Sequence, residues 1–365
     1  MNFNKWKEHK GYTLGAELEA RLQDSETFKL KEYSSKLRER FSDEYKKKIH
    51  QEFLECMVEF VTPVCSNSYE VVKELKNQIA YLNSLAKEDN TVVATSGSCS
   101  LKVEPLKHVD EERYDAFAKE YGILLSRFHI CGFHIHVALP SSDEALQAYN
   151  FSLEYLPIFL ALSANSPFFN GEDAGLLSYR AKIFEQLPRA GLSSYFDSFE
   201  EMKKLYMDMN RAGTIKSIKD IWWDIRVSPN FGTLEIRICD ASSDFERLRL
   251  LVVLYQAFVL FAQGKEVYKI PHQILLQNRW TALRHGLDGV FQNSKKVTTI
   301  RDHYLDLLER MEIEGIFEKL GTTSDIKKLK KLAFKGEPAK QQLKVFKDTN
   351  SLIEVEKLGR MDDIK

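Results

Sequence analysis

The segment from Thr13 to Gln23 constrains the fold more than any other, because apolar and polar residues alternate along it without a break. Its even positions are all Leu or Ala, whereas its odd positions include Glu17 and Glu19. Successive side chains of a β-strand point to opposite faces, so this period of two predicts a strand with one buried and one polar face. Glu17 and Glu19 then share a face, about 6.6 Å apart at ~3.3 Å per residue.

Four further segments place charged or histidine side chains two or four positions apart. These pairs are His134 with His136, Asp224 with Arg226, Glu235 with Arg237, and Glu55 with Glu59. One such strand is usually only a solvated surface. Five of them, rich in Glu, His and Arg and poor in Lys, favour a different interpretation, because the acids require cations and the arginines require anions. Magnesium ions and a polyphosphate meet both requirements.

The remaining pattern predicts helices between the strands. Apolar residues recur at helical spacing over Tyr69–Ala86 and Leu146–Leu162, and Ser243–Glu246 has the spacing of a capping box. The region from about residue 298 is rich in Lys, Glu and Leu and is predicted to be helical. Strands and helices mix without regular βαβ alternation, which indicates an α+β fold with an antiparallel sheet. No linker or repeat interrupts the chain, so we expect one domain over residues 1–365.

Composition excludes several classes of function. The chain has 365 residues and a formal net charge of −1, so electrostatics give no case for nucleic acid as a partner. No apolar stretch is long enough to predict a membrane span. Five scattered cysteines without a C-x-x-C pair favour a reducing cytoplasm. The chain has no P-loop, G-x-G-x-x-G, H-E-x-x-H or G-x-S-x-G motif, which argues against the enzymes that those motifs mark.

Six segments follow one another in a recognisable order. They are TLGAELE (13–19), ECMVEFVTPVC (55–65), CGFHIHV (131–137), LPIFLALSANSPFFNGEDAGLLSYR (156–180), WWDIRVSPNFGTLEIRICD (222–240) and NRWTALRHGLDG (278–289). Together they resemble the YbdK-like carboxylate–amine ligases of the type-2 glutamate–cysteine ligase family, which share the glutamine-synthetase fold. The resemblance implies an antiparallel sheet that curves around the active site, with helices outside.

The resemblance also implies roles for individual residues. The implied metal ligands are Glu17, Glu19, Glu55, Glu59, His134 and Glu235, with Glu52 as the alternative to Glu55. The residues implied to contact the transferring phosphate or the substrate are Arg226, Arg237 and His136. Arg279 and Arg284 lie in the last matching segment and are candidates for nucleotide binding. Asp224 is a candidate base for the amine.

The activity implied is an ATP- and Mg²⁺-dependent ligation, in which Mn²⁺ could replace Mg²⁺. An amino-acid carboxylate, glutamate in the family, becomes an acyl phosphate and joins an amine, for which cysteine is one candidate. A homodimer is a further expectation. Two alternatives stay open: a guanidino phosphotransferase of the same fold, and a non-catalytic nucleotide- or amino-acid-binding relative. Gly97–Ser100 replaces the family's usual G-T-H-P, which leaves the substrates undecided.

Overall fold

The computed structural model describes residues 6–362 and 364. Its strands are β1 Leu14–Asp24, β2 Ile49–Gln51, β3 Met57–Val61, β4 Thr91–Ala94, β5 Phe133–Ala138, β6 Phe168–Phe169, β7 Glu172–Asp173, β8 Ala190–Gly191, β9 Trp222–Trp223, β10 Ile225–Ser228, β11 Thr233–Ile236, β12 Val290–Gln292 and β13 Val297–Thr299. Its α-helices are α1 Ser34–Glu39, α2 Ser68–Ala86, α3 Glu112–Tyr121, α4 Ser142–Ser163, α5 Tyr179–Phe184, α6 Phe199–Arg211, α7 Phe245–Phe261, α8 His272–His285, α9 Ile300–Ile313, α10 Ile316–Lys319, α11 Ile326–Lys335, α12 Pro338–Thr349 and α13 Leu352–Lys357.

One sheet dominates the fold. Within the described residues it contains seven strands in the order β10-β11-β5-β1-β3-β2, with β4 also paired to β1. All of its pairings are antiparallel. The long strand β1 lies at the centre because it pairs with β3, β4 and β5 along different parts of its length. The predicted α+β class and antiparallel sheet are confirmed.

The two faces of the sheet differ as the alternation in β1 predicts. The apolar residues of β1, from Leu14 to Leu22, are at most 2% exposed on one face. Helices α2, α4 and α7 contact the strands and cover that face. Helix α7 is apolar on nearly all sides and is buried along most of its length, which places it in the centre of the core. The acidic and histidine side chains are left on the opposite, uncovered face.

The predicted helices are present, with small differences at their ends. Helix α2 begins one residue before the predicted start, and α4 continues through Pro157 to its end at Ser163. The capping-box prediction for α7 is wrong by one residue. Asp244 caps this helix by accepting a hydrogen bond from the Arg247 backbone N–H, while the Ser243 hydroxyl donates to the Leu358 carbonyl. The Ser243 hydroxyl is thus directed to a backbone carbonyl of the C-terminal region, and the cap lies at Asp244.

The C-terminal region is helical from Ile300, as predicted, and it packs against the central strand. The Glu356 carboxylate on α13 accepts hydrogen bonds from the Gln23 amide and the Ser100 hydroxyl and lies 3.5 Å from Arg21. No helix within the described residues is both long and apolar enough to span a membrane. The extent of the domain stays a prediction.

A buried ion pair joins α7 to the C-terminal helices. Arg249 donates to both carboxylate oxygens of Asp325 at 2.7 and 3.0 Å, and both side chains are nearly inaccessible. Asp325→Ala removes two charged hydrogen bonds and leaves Arg249 with Glu246 as its carboxylate partner, so it should lower the free energy of unfolding by about 2 kcal/mol in a urea titration. The control Glu312→Ala removes an exposed pair with Lys330 and should cost less than about 1 kcal/mol. Equal losses in the two variants would contradict this account.

Candidate active site

The polar face of the sheet forms the floor of a cavity of about 800 Å³, a size typical of small-molecule sites. Charged and histidine side chains from five strands line this floor. They are Glu17, Glu19, Glu59, His134, His136, Arg226, Glu235 and Arg237. Each strand contributes these residues from alternate positions, so the period of two in the sequence directs them into one cavity.

The register of the sheet aligns these side chains across neighbouring strands. The directly opposed pairs are Glu19 with Glu59, Glu17 with His134, His136 with Glu235, and Glu235 with Arg226. Opposed residues of antiparallel strands have neighbouring Cβ atoms, so the like and unlike charges of the floor interact directly.

Two histidines contact the central carboxylate of the floor. Glu17 lies 3.0 Å from Nδ1 of His134 and 3.2 Å from Nε2 of His136. Nε2 of His134 is buried without a hydrogen-bond partner among the described residues, 3.8 Å from a Glu19 oxygen. If Nδ1 carries the proton that Glu17 accepts, the lone pair of Nε2 is free. A buried imidazole with one nitrogen held by a carboxylate and the other free is suited to bind a metal ion.

The donor atoms form three overlapping groups, and within each group they lie within 4.8 Å of one another. The groups are Glu17, Glu59 and His134; Glu17, His136 and Glu235; and Glu19, Glu52 and Glu59. Glu17 and Glu59 each belong to two groups, so neighbouring ions could share them. Carboxylate oxygens are the ligands that Mg²⁺ prefers, and a histidine can complete the shell of Mg²⁺ or Mn²⁺.

The electrostatics of these acids show why they need a cation. Burial, followed by the charge of Glu19, raises the pKa of Glu52 to about 8. Burial and the nearby charge of Glu17 raise the pKa of Glu59 well above its ordinary value. For Glu17 burial acts in the same direction, but His136 and His134 together outweigh it and hold the pKa of Glu17 well below the ordinary value. A bound divalent cation would remove the repulsion among these carboxylates.

The two arginines of the floor differ in how much of each guanidinium is free. Arg226 uses all three nitrogens: Nε and Nη2 donate to Glu235 at 2.9 and 3.0 Å, and Nη1 donates to the Ile221 carbonyl. Arg237 donates to Glu235 through Nη1, while its Nη2 has no hydrogen-bond partner among the described residues. Burial opposes ionisation of Glu235, but the two arginines outweigh it and lower its pKa to about 2. Arg237 is therefore the arginine with a nitrogen available to a ligand.

The structure does not bring Glu55 into this group. Strand β3 begins at Met57, so Glu55 lies in the preceding turn and does not share the strand's alternation. Its carboxylate accepts hydrogen bonds from the hydroxyls of Ser34 and Ser35 at the start of α1. Glu52, which the sequence offered as the alternative, lines the cavity instead.

Asp224, Arg279 and Arg284 also lie apart from the residues that line the cavity. A bend at Asp224 separates β9 from β10, so this residue leaves the alternation of Arg226. Its carboxylate accepts two hydrogen bonds from Arg279, at 2.6 and 3.2 Å, and Arg279 also pairs with Glu185. Arg284 is exposed on α8. In the structure Asp224 and Arg279 therefore form an ion pair with each other. A direct role of Asp224, Arg279 or Arg284 in catalysis or nucleotide binding stays a prediction.

Sequence reasoning missed one wall of the cavity, which is apolar and aromatic. Its residues come from separate parts of the chain and include Phe117, Tyr121, Leu125, Leu187 and Trp222. The ring centroids of Phe117 and Trp222 are 5.5 Å apart in an edge-to-face arrangement. No local period marks these residues, because only the tertiary fold brings them together.

The Gly97–Ser100 loop, where the sequence departs from the family pattern, is buried and does not line the cavity. The Gly97 N–H donates to the Asn165 carbonyl, and the Ser98 hydroxyl donates to the Phe168 carbonyl. In this structure the loop supports the core beside α13.

Gly132 fixes the start of β5 beside the metal-binding groups. Its N–H donates to the Glu19 carboxylate. A Cβ at this position would lie 2.7 Å from Cζ of Arg180 and 2.9 Å from Nε2 of His134, so a larger residue requires one of these side chains to move. Arg180 in turn donates to the Arg237 carbonyl and so connects β5 to the end of β11.

Solved structures share this arrangement of strands and helices. The glutamate–cysteine ligase of Francisella tularensis in complex with AMP has a TM-score of 0.72 at 14% identity, over 96% of this chain and 89% of that one. A bifunctional glutathione synthetase from Pasteurella multocida has a TM-score of 0.69 at 14% identity, over 95% of this chain and 51% of that one. The fold is thus that of the glutamate–cysteine ligases.

Sequence comparison identifies the family. The model of Glutamate-cysteine ligase family 2 matches residues 13–358. A protein of Jannaschia sp. is 33% identical over 351 residues, which are 93% of this chain and 91% of that protein. A protein of Gloeobacter violaceus is 30% identical over 352 residues, 94% of each chain. Both are provisionally named glutamate–cysteine ligase 2. The chain belongs to Glutamate-cysteine ligase family 2.

The placement of Glu52 and Glu55 can be tested by metal-dependent stability. An ion that binds only the folded state stabilises it by about 2.7 kcal/mol at a hundred times its dissociation constant. We expect MgCl₂ to raise the thermal unfolding midpoint of the unmodified protein, and Glu52→Gln to lose most of that rise. The matched variant Glu55→Gln should keep the rise, although it loses the contacts at the start of α1. The reverse pattern would show that Glu55 is the ligand.

The close approach at Gly132 allows a second test. Gly132→Ala forces Arg180 or His134 to move, so we expect it to abolish most of the Mg²⁺-dependent rise in the unfolding midpoint. The control Gly11→Ala adds a methyl group where nothing lies within 4 Å and should behave like the unmodified protein. An unchanged Mg²⁺ response in Gly132→Ala would mean that the start of β5 does not hold the metal-binding groups in place.

Proposed function

We propose that this protein is an ATP- and Mg²⁺-dependent ligase that activates an amino-acid carboxylate as an acyl phosphate and joins it to an amine. One observation carries the proposal. Carboxylates, histidines and arginines from neighbouring antiparallel strands converge on the floor of one cavity, where burial and the neighbouring acids raise the pKa of Glu59 and the donor atoms are close enough to share a cation. Glutamate as the carboxylate substrate and cysteine as the amine are proposed from the names of the relatives.

Mg-ATP supplies the phosphoryl group that makes the carboxylate carbon reactive. In the proposed reaction a carboxylate oxygen bonds to the γ-phosphorus, and the bond between that phosphorus and the β,γ-bridging oxygen breaks, which releases ADP. The amine nitrogen then bonds to the acyl carbon and loses a proton, and the bond from that carbon to the phosphate oxygen breaks. Inorganic phosphate leaves and an amide remains.

The residues of the cavity floor have different roles in the proposed reaction. Glu17, Glu19, Glu52, Glu59, His134 and Glu235 would hold the Mg²⁺ ions. Arg237 offers Nη2 to the transferring phosphoryl group, where a hydrogen-bond donor in a buried site stabilises developing charge. Arg226 holds Glu235 in position through two hydrogen bonds. His136 lines the cavity between these groups and would contact phosphate or substrate.

Two other observations bear on the proposal. AMP in the Francisella tularensis structure supports a nucleotide as ligand of this fold. The aromatic wall of the cavity offers an apolar surface for the base or for an apolar part of a substrate. A cytoplasmic location and a homodimer remain proposals that rest on cysteine usage and on the family resemblance.

A product screen tests the reaction. Purified protein is incubated with Mg-ATP, glutamate and a panel of amines that includes cysteine, and ADP, phosphate and products are followed together. We expect ADP and phosphate to appear only with a particular acid–amine pair, with a product that is lighter than their sum by one water. ADP without phosphate, together with a phosphorylated guanidine when guanidino compounds are supplied, would instead identify a phosphotransferase.

A substitution on the central strand tests the site itself. Glu17→Gln removes a charge shared by two of the donor groups, so turnover should fall by at least about a hundredfold, the scale of losing one electrostatic contact in a transition state. Far-ultraviolet circular dichroism should remain unchanged. The control Glu39→Gln alters an exposed acid on α1 and should retain full turnover. Near-normal turnover of Glu17→Gln would remove this residue from the site.

A further inference from the structure

The positive charge of the arginines on the cavity floor does not balance the negative charge of the substrates in the proposed reaction. Arg226 and Arg237 both pair with Glu235, so part of their charge is already balanced within the protein. ATP and an amino acid each add negative charge beyond the carboxylate that reacts. Other cations of the cavity must therefore contact the substrates.

Arg38, on α1, is the half-buried cation that is best placed to do so. Its Nη1 donates to the main-chain carbonyls of Ile49 and Lys46, at 3.0 and 3.5 Å, which orients the guanidinium against the edge strand β2. It lines the cavity and has no ion pair with a carboxylate among residues 6–362. Nε and Nη2 form no hydrogen bond within the same residues, so one edge of the planar guanidinium, with two N–H donors, is available to a carboxylate.

Two other basic side chains line the same part of the cavity. His50 lies on β2, opposite Glu59 in the pairing with β3, and Lys219 lies in a 3₁₀ turn just before β9. All three side chains line the cavity. Burial, followed by the charge of Arg38, lowers the pKa of His50, so its imidazole is a neutral hydrogen-bonding group. Lys219 has no ion pair among the described residues and is exposed at the rim. A half-buried arginine and a rim lysine, with a neutral histidine beside them, thus form a cationic group at one edge of the floor.

This group lies at the opposite edge of the sheet from Arg237. The strand order places β3, β1 and β5 between β2 and β11, so their backbones are about 19 Å apart at ~4.8 Å per strand. The phosphates would lie among the metal-binding groups and Arg237. The cationic group is also next to the candidate metal-binding group of Glu19, Glu52 and Glu59, because His50 is paired with Glu59. An anion bound by Arg38 would therefore lie apart from Arg237 and beside that group.

We propose that Arg38, His50 and Lys219 form a subsite for the non-reacting carboxylate of an amino-acid substrate. The subsite rests on the proposed ligase function, and it adds that the cavity selects an α-carboxylate. Simple amines or acids that lack this group bind without the contact to Arg38. Phosphate of the nucleotide is the other anion that such a group could bind.

Isothermal titration calorimetry with matched ligands distinguishes these sources. The unmodified protein and Arg38→Met are titrated with glutamate, γ-aminobutyrate, cysteine, cysteamine and the Mg²⁺ complex of β,γ-imido-ATP. γ-Aminobutyrate and cysteamine are the two amino acids without their α-carboxylate. Losing a hydrogen bond between charged groups typically weakens binding by about tenfold or more. We expect Arg38→Met to weaken binding of glutamate or cysteine by at least about tenfold and to leave its decarboxylated counterpart and the nucleotide within about threefold.

Two further variants complete the comparison. Arg38→Lys keeps the charge and should restore part of the affinity. Arg40→Met is the matched control, because Arg40 is close by on the same segment but pairs with Glu88 and Asp89 and does not line the cavity. Its ligand binding should equal that of the unmodified protein. Thermal unfolding of each variant establishes that it is folded.

Several results would overturn the subsite. Weaker binding of the nucleotide alone in Arg38→Met would assign the group to phosphate. Equal loss for an amino acid and its decarboxylated counterpart, unchanged binding of every ligand, or no amino-acid binding by the unmodified protein would each reject it. The product screen separates this outcome from failure of the ligase proposal. ATP turnover without an effect of Arg38 rejects only the subsite, whereas Arg38-dependent binding without turnover rejects only the ligase.

Discussion

Repulsion among buried carboxylates is the constraint on which the rest of the site depends. Glu17 and Glu19 on β1, Glu59 on β3 and Glu52 just after β2 face one cavity. Burial together with mutual repulsion raises the pKa of Glu52 and Glu59. Such a face lowers the stability of the folded protein unless a ligand neutralises the charges of the carboxylates. Apolar helices cover the other face of the sheet, so cations can reach only the acidic face.

The partners of the acids follow from the same constraint. Glu17 is balanced by two histidines, and Glu235 is balanced by two arginines. The acids at the other end of the floor have no comparable cationic partner, so that end is where added metal ions would have the greatest effect. Arg237 reaches the floor with one nitrogen still free, while Arg226 is fully occupied by the protein. Two arginines that look equivalent in the sequence therefore differ in the ligand contacts open to them.

Local periodicity explains how much of this arrangement could be predicted from the sequence. Along β1 and β5 the strands are regular, so alternate positions identified Glu17, Glu19, His134 and His136 as residues of one face. The same reasoning failed where a strand was interrupted. Glu55 lies in a turn before β3 begins, and Asp224 lies at a bend. The aromatic wall and the cationic group at β2 could not be predicted, since they combine side chains from distant segments and no local pattern records that proximity.

Transfer of labelled oxygen tests the central claim most directly. Glutamate with ¹⁸O in its γ-carboxylate, or the acid that the product screen identifies, is incubated with Mg-ATP and the amine, and the released phosphate is analysed by mass spectrometry. An acyl phosphate retains the carboxylate oxygen that attacked phosphorus and leaves it on the phosphate. The account predicts phosphate that carries one atom of the label. Unlabelled phosphate accompanying amide formation would contradict the acyl-phosphate route, because the lost carboxylate oxygen would then have left as water.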